Sequence, residues 1–468
     1  MAVFGVLISN RSFFPAHLVQ STRERLLRAL KAWGHEVIAL SLEDTKMGQT
    51  MTYEEAQKCA KLFRDNMDRI DGIIVCLPNF GEETGIADAL KWSKCDVPIL
   101  IQACDDDFDK LQLENRRDAF CGKLSVCNNL YQYGIKYSLT ERHTCPVDGE
   151  EFKRDVDKFS RVCAVVKAMR TARIGQIGAR VKPFRTVRYS EKLLQQAGIT
   201  VEAEDFSEIL ADIKLITDEE LIANKVQEIK EYARIVKGIE DEKIIRQAKL
   251  CIAIENWMRD HHCDASAIQC WDSVEVNYGC AMCLSMSMMG EKGLPSACET
   301  DVMGAVSMLA LLRASGVPPV YQDWNNNYKN ESNKCINVHC SNYPVSVFED
   351  VPEIENLDIL ATTLGTDVSF GALKGRVRSG KMTYLKVSTD DRLGKIKCYL
   401  GEGEFTDDPL PTFGGVAVCK VPNLNGLMRY LTKNGYEHHV ALVQASVADV
   451  LEEALGNYMG WEIYHHKG

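Results

Sequence analysis

Long hydrophobic runs are missing from this chain of 468 residues. No apolar stretch approaches the ~20 residues that a membrane-spanning helix needs, so no membrane partner is expected. Positive charge is short as well: 55 Lys and Arg stand against 66 Asp and Glu, a net charge of −11. Nucleic-acid backbones and anionic lipid surfaces would be repelled, although a local basic pocket is compatible with that balance. The opening residues MAVFGVLISNRSFF hold neither a basic region nor a small-residue cleavage site, so no signal peptide is expected. Internal repeats and low-complexity segments are lacking too. Histidine is scarce, at ten, yet two stand side by side in NGYEHHV, 434–440.

Cysteine is plentiful, with eighteen spread over the whole length. In a large chain without an export signal, this favours free, mostly buried thiols in a reducing cytoplasm over a disulfide framework. The C-x-x-C of Cys280 and Cys283 has no second pair at zinc spacing, so packing is its expected role.

Apolar strands alternate with helical patterns through the first two thirds of the chain. VFGVLIS (3–9), EVIAL (36–40), GIIVCLP (72–78) and VPILIQA (97–103) read as strands, with helices over about 15–33 and from Tyr53. Such near-continuous apolar strands predict a parallel sheet covered on both faces. A second alternating unit begins at ARIGQIGAR (172–180), with a helix from about Val187, a strand at ITVEAE, two charged helices across about 217–260, and a strand at ASAIQCW (265–271). Beyond VPPVYQDWNNN helical patterns thin out, and Thr, Val, Gly and turn pairs predict a mostly β third region, closed by one helix near 446–458. The expected domains are 1–165, 166–316 and 317–468.

Four residue positions could carry chemistry. Glu299 follows the small-residue stretch PSAC and opens a helix, at the strand end where parallel α/β sheets bind ligands; a plain helix-start carboxylate is the simpler reading. Asp323 ends an apolar run and is followed by Asn325 and two more asparagines, which can orient a carboxylate or bond a hydroxylated ligand, or can simply form a turn. His339 closes the run KCINVH. If HHVALV is a strand, His438 and His439 point to opposite faces, so only one enters a given site, and spacing does not say which. Oxygen and imidazole donors without thiolate suit Mn²⁺, Mg²⁺ or Co²⁺. A divalent ion with two carboxylates can polarise vicinal oxygens while a carboxylate moves a proton between adjacent carbons.

These segments resemble a known family. RRDAFCGKLSVCNNLYQYGI (116–135), TVRYSEKLL (186–194), ACETDVMGA (297–305), DWNNNY (323–328), VHCSNYP (338–344), GEGEFTDDPLPTFGG (401–415) and NGYEHHV (434–440) are similar to the L-fucose/L-arabinose isomerase family, in its shorter fucose-isomerase-like branch. The resemblance implies two Rossmann-like doubly wound parallel-sheet domains plus a β-rich C-terminal domain, and a homo-oligomer (trimer or hexamer) in which first-domain residues such as Arg116 and Arg117 can serve a neighbour. It implies a Mn²⁺-dependent aldose–ketose isomerase, with Mg²⁺ or Co²⁺ as alternatives. Glu299 and Asp323 take the places of the metal-binding acid/base pair. His439 matches the late metal-binding histidine, and His339 matches a further ligand of the arabinose branch. The segment GARVKPFRTVRYSE departs from the family's uncharged, proline-rich pattern by adding Lys182 and Arg185 near Arg180. A solvated basic patch explains this; so does recognition of an anionic sugar such as sulfoquinovose, on which members of the family act. L-fucose, L-arabinose, a non-catalytic sugar-binding relative and a metal-dependent aldolase or hydrolase are the alternatives.

Overall fold

The computed structural model describes residues 1–468, which fold into two compact units. Unit 1 comprises Met1–Lys167 and Glu453–Gly460. Its five strands are all parallel, in the spatial order Glu36–Ala39, Val3–Ile8, Gly72–Leu77, Ile99–Ala103, Ser138–Leu139. Every residue of the two central strands Gly72–Leu77 and Ile99–Ala103 is buried, because crossover helices cover both faces. The helices His17–Ala32 and Tyr53–Asp65 fall where the patterns predict them. The second starts sharply because Thr52 and Glu55 form a reciprocal capping box. No helix in the chain is long and apolar enough to cross a membrane.

Unit 2 comprises Ala168–Glu452 and Trp461–Gly468. Its first layer is a four-stranded parallel sheet in the order Ser296–Ala297, Ala265–Ile268, Arg173–Ile177, Thr200–Glu204. Its second is a mixed, eleven-stranded sheet dominated by the long hairpin Gly380–Asp390 and Lys395–Thr406. The α/β class with parallel sheets and a β-rich C-terminal part is thus observed. The helix Val302–Ser315 is buried at every position except Arg313 and Ser315. It ties the two layers together: the turn Cys298–Thr300 joins its cap Asp301 to the strand Ser296–Ala297, and Ser307 Oγ accepts from the Val387 amide of the hairpin at 2.8 Å. The expected boundary at 316–317 therefore falls inside one compact unit.

Two local expectations need correcting. The helix expected from Val187 begins at Glu191, because Arg185–Val187 makes a tight 3₁₀ turn and Ser190 caps the helix that follows. The C-terminal region has more than the one expected helix. Leu424–Lys433 is a second, burying Leu424, Leu427 and Leu431 along one stripe, and Asp358–Leu364 is a shorter third. All eighteen cysteines are free, and Cys280 and Cys283 are packed in the interior.

Candidate metal centre and active site

Glu299 sits in the turn Cys298–Thr300, directly after the edge strand Ser296–Ala297 of the parallel sheet. Glu299 and Thr300 both have left-handed backbone conformations, φ 53° and 59°. Two successive non-glycine residues in that region cost roughly 1–3 kcal/mol each, and such strain is typical of functional sites. The turn is held by the Asp301 amide on the Cys298 carbonyl and by Thr300 Oγ1, which donates to the Ala179 carbonyl at 3.3 Å.

Asp323 ends the strand Val320–Asp323, which runs antiparallel to His439–Val443 in a register that pairs Asp323 with His439. That pairing places both side chains on one face. His439 Nε2 lies 3.6 Å from Asp323 Oδ1 and 3.4 Å from Glu299 Oε2. His339 closes the strand Lys334–His339, and its Nε2 lies 3.6 Å from the same Glu299 oxygen. The neighbouring strand begins at Gly415, where a Cβ would stand 2.2 Å from the Tyr343 ring, so the FGG turn must be glycine for the chain to pass so close. His438 lies just outside the strand with a side chain 41% exposed, 3.8 Å from Asp323 Oδ1, whereas the His439 side chain is 1% exposed.

Asp301, which sequence reasoning overlooked, fixes His439. Its Oδ2 lies 3.0 Å from His439 Nδ1, 2.6 Å from Lys386 Nζ, and accepts from the Tyr321 hydroxyl, while Oδ1 caps the Val302–Ser315 helix at the Gly304 amide. Gly304 must lack a side chain, because a Cβ there would stand 2.1 Å from the Tyr321 hydroxyl oxygen. With Nδ1 engaged, His439 turns Nε2 towards the two carboxylates. Burial alone would raise the Asp301 carboxyl, but the Lys386 cation and the His439 bond hold it well below the usual carboxylate range.

On Glu299, Oε1 accepts from the Trp271 indole at 3.0 Å, while Oε2 has no hydrogen-bond partner. Burial would raise this carboxyl too, but the facing His339 charge, with His439 and Trp271, brings it down to about 2. His339 moves the opposite way: burial would lower it, but Glu299 raises it to about 9. Asp323 Oδ1 is a second buried oxygen without a partner.

This donor set fits a divalent cation. Glu299, His339 and His439 each offer a donor atom within 4.8 Å of the others, as do Asp323, His438 and His439. Atoms bound to one ion at 2.0–2.2 Å lie roughly 3–3.5 Å apart, close to the observed separations of 3.4–3.6 Å. The two orphaned carboxylate oxygens point to the same need, since buried unpaired acceptors are costly.

The other expected residues divide. Asn325 Oδ1 accepts from the Val338 amide at 2.6 Å, and Asn337 donates to the Asp323 carbonyl at 2.8 Å, so both brace the strand end that carries Asp323. In the basic segment, Phe184 meets the site, its ring centroid 5.2 Å from Trp271 and 6.0 Å from His439. Arg180 follows Ala179, which is tied to the Glu299 turn by Thr300 and to Gln269 by its own amide. Lys182 is exposed. Arg185 lines a cavity of about 910 Å³ with Arg188, Arg392 and Lys433, and none of Glu299, Asp323, His339 or His439 lines it.

Residues 5–170 match the family model for the fucose/sulfoquinovose isomerase N-terminal domain, and residues 337–466 match that for the L-fucose isomerase C-terminal domain. The chain belongs to the fucose-isomerase-like family. A sulfoquinovose isomerase of Priestia aryabhattai is 25% identical over 311 residues, covering 64% of this chain and 66% of the relative. One from Alkalicoccus urumqiensis is 26% identical over 297 residues, covering 63% and 65%. The chain thus matches just under two thirds of the length of these fucose-isomerase-like relatives. A periplasmic solute-binding protein from Actinobacillus succinogenes, solved with D-allose, matches at 12% identity over 67% of this chain and 91% of its own, with a TM-score of 0.17, too slight a likeness to bear on the fold.

Proposed function

We propose that this chain is a Mn²⁺-dependent aldose–ketose isomerase acting on an open-chain sugar, with sulfoquinovose as the leading substrate, working as a homo-oligomer in the cytoplasm. The observation that carries the reading is the pair of carboxylates, Glu299 and Asp323, with unpartnered oxygens converging on His439. A sugar-binding module has no need of such a pair. The names of the relatives above support the sulfosugar, and eighteen free thiols suit a reducing compartment.

Glu299, Asp323 and His439 would hold the cation, with His339 as a further donor. The ion would offset negative charge growing on sugar oxygens O1 and O2. One of the two carboxylates takes the C2 proton and delivers it to C1, the sugar passing through a cis-enediol. Phe184 and Trp271 wall the site with apolar surface, which limits water around that proton. His439→Ala should lower Mn²⁺ affinity by more than the ~10–100-fold typical of losing an outer-shell partner, and His438→Ala should do much less; isothermal titration reads both, and the reverse order would remove His439 from the donor set.

The substrate is tested by supplying Mn²⁺-loaded protein with sulfoquinovose, L-fucose and L-arabinose and measuring ketose. The largest kcat/KM is expected for sulfoquinovose. Arg180, Lys182 and Arg185 are changed singly to Gln. A charge-assisted bond to the sulfonate is worth ~1.5–3 kcal/mol, so its loss should raise KM for the sulfosugar roughly 10–100-fold and spare neutral sugars. Arg185, on the separate cavity, should matter least. Equal effects on charged and neutral sugars would sink the anion reading.

A further inference from the structure

Behind Glu299, on the side away from the histidines, the interior is rich in sulfur. Cys270 lies just past the strand Ala265–Ile268 and Cys298 just past its parallel neighbour Ser296–Ala297, so both thiols arrive at the same end of the sheet. Cys270 Sγ is 3.8 Å from Glu299 Oε1, and Cys298 Sγ is 4.0 Å from Met286 Sδ. The two thiol sulfurs and a Glu299 carboxylate oxygen all lie within 4.8 Å of one another. Cys270, Cys298 and Met286 are 1%, 0% and 0% exposed, and Glu299 is 3% exposed.

We propose that Cys270, Cys298 and Glu299 form a second cation site, selective for thiophilic ions such as Zn²⁺ or Cd²⁺, with Met286 as an additional sulfur. The donor set is the chemical opposite of the one on the other side of the same carboxylate. Thiolate and thioether select soft ions, whereas carboxylate and imidazole accept Mn²⁺. On binding, both S–H bonds break, two S–metal bonds form, and the two protons leave to solvent. Glu299 Oε1 turns from the Trp271 indole to the ion, so a soft cation here inhibits whatever chemistry Glu299 performs without occupying the Mn²⁺ position.

Cd²⁺ is the probe, added to the Mn²⁺-loaded full chain. X-ray absorption should read a cadmium shell of two or three sulfurs with oxygen, and the ultraviolet thiolate-to-cadmium band should appear at one ion per chain. Cys298→Ser, nearly isosteric, should weaken Cd²⁺ binding by at least about ten-fold, while Cys335→Ser, on a cross-strand Cys335–Cys419 pair with no carboxylate, imidazole or third thiol grouped with it, should leave it unchanged. A shell of oxygen and nitrogen alone would overturn the site, as would a band insensitive to Cys298→Ser. Both readouts are made without turnover, so they stand or fall separately from the isomerase activity.

Discussion

Asp301→Ala should destabilise the protein by ~3–5 kcal/mol, measured as a fall in the urea midpoint at unchanged slope. The size follows from what is left behind. Lys386 Nζ is 2.6 Å from Asp301 Oδ2, and the two side chains are 0% and 1% exposed. Removing one partner of such a pair leaves an uncompensated charge in the interior. The same substitution frees His439 Nδ1, which Asp301 Oδ2 holds at 3.0 Å. Ligand imidazoles held by a carboxylate typically lose 10–100-fold in metal affinity when that carboxylate is removed, so Mn²⁺ affinity should fall by about that factor. The double variant Asp301→Asn with Lys386→Met separates the two effects, because replacing a buried ion pair by uncharged groups is often neutral or better for stability. It should recover most of the urea midpoint, while Mn²⁺ affinity stays low. Recovery of both would make Asp301 a structural residue with no hold on the metal centre.

Much of the fold could be read from the chain because the inner strands of unit 1's parallel sheet are short, largely apolar runs bounded by turn residues, as in GIIVCLP. Boundaries failed where a turn imitates a helix, as at Arg185–Val187. The site was legible only in pieces. Glu299, Asp323, His339 and His439 each stand at a strand end, which pattern reveals, but what joins them is the antiparallel register of Asp323 against His439, a contact between distant segments that no local pattern records. Asp301 stands two residues from Glu299 in ACETDVMGA, where nothing local sets it apart from an ordinary helix-start carboxylate. Its partner Lys386 lies within KMTYLKVST, where alternation does not distinguish a buried lysine from an exposed one. Phe184 was passed over for its charged neighbours, although the aromatic ring is what reaches His439.

Glu299→Gln carries the largest expected loss of turnover. The substitution keeps the volume and the Oε1 acceptor for Trp271 but replaces an oxygen that faces both His339 and His439 with an amide. A positioned acid or base contributes on the order of 10²–10⁴-fold, and the weakened donor set adds to that, so kcat should fall by at least ~10³ with saturating Mn²⁺. KM should change far less, since Phe184 and the basic segment are untouched.

The most direct test is proton exchange. Mn²⁺-loaded protein is incubated with sulfoquinovose in D₂O, with and without prior chelation, and in parallel with the Glu299→Gln variant. Deuterium at C2 of recovered aldose or C1 of the ketose, formed by the loaded wild-type protein and lost on chelation and in Glu299→Gln, is the predicted result. Sugar that binds but shows neither ketose nor deuterium, or exchange that survives both chelation and Glu299→Gln, would contradict it.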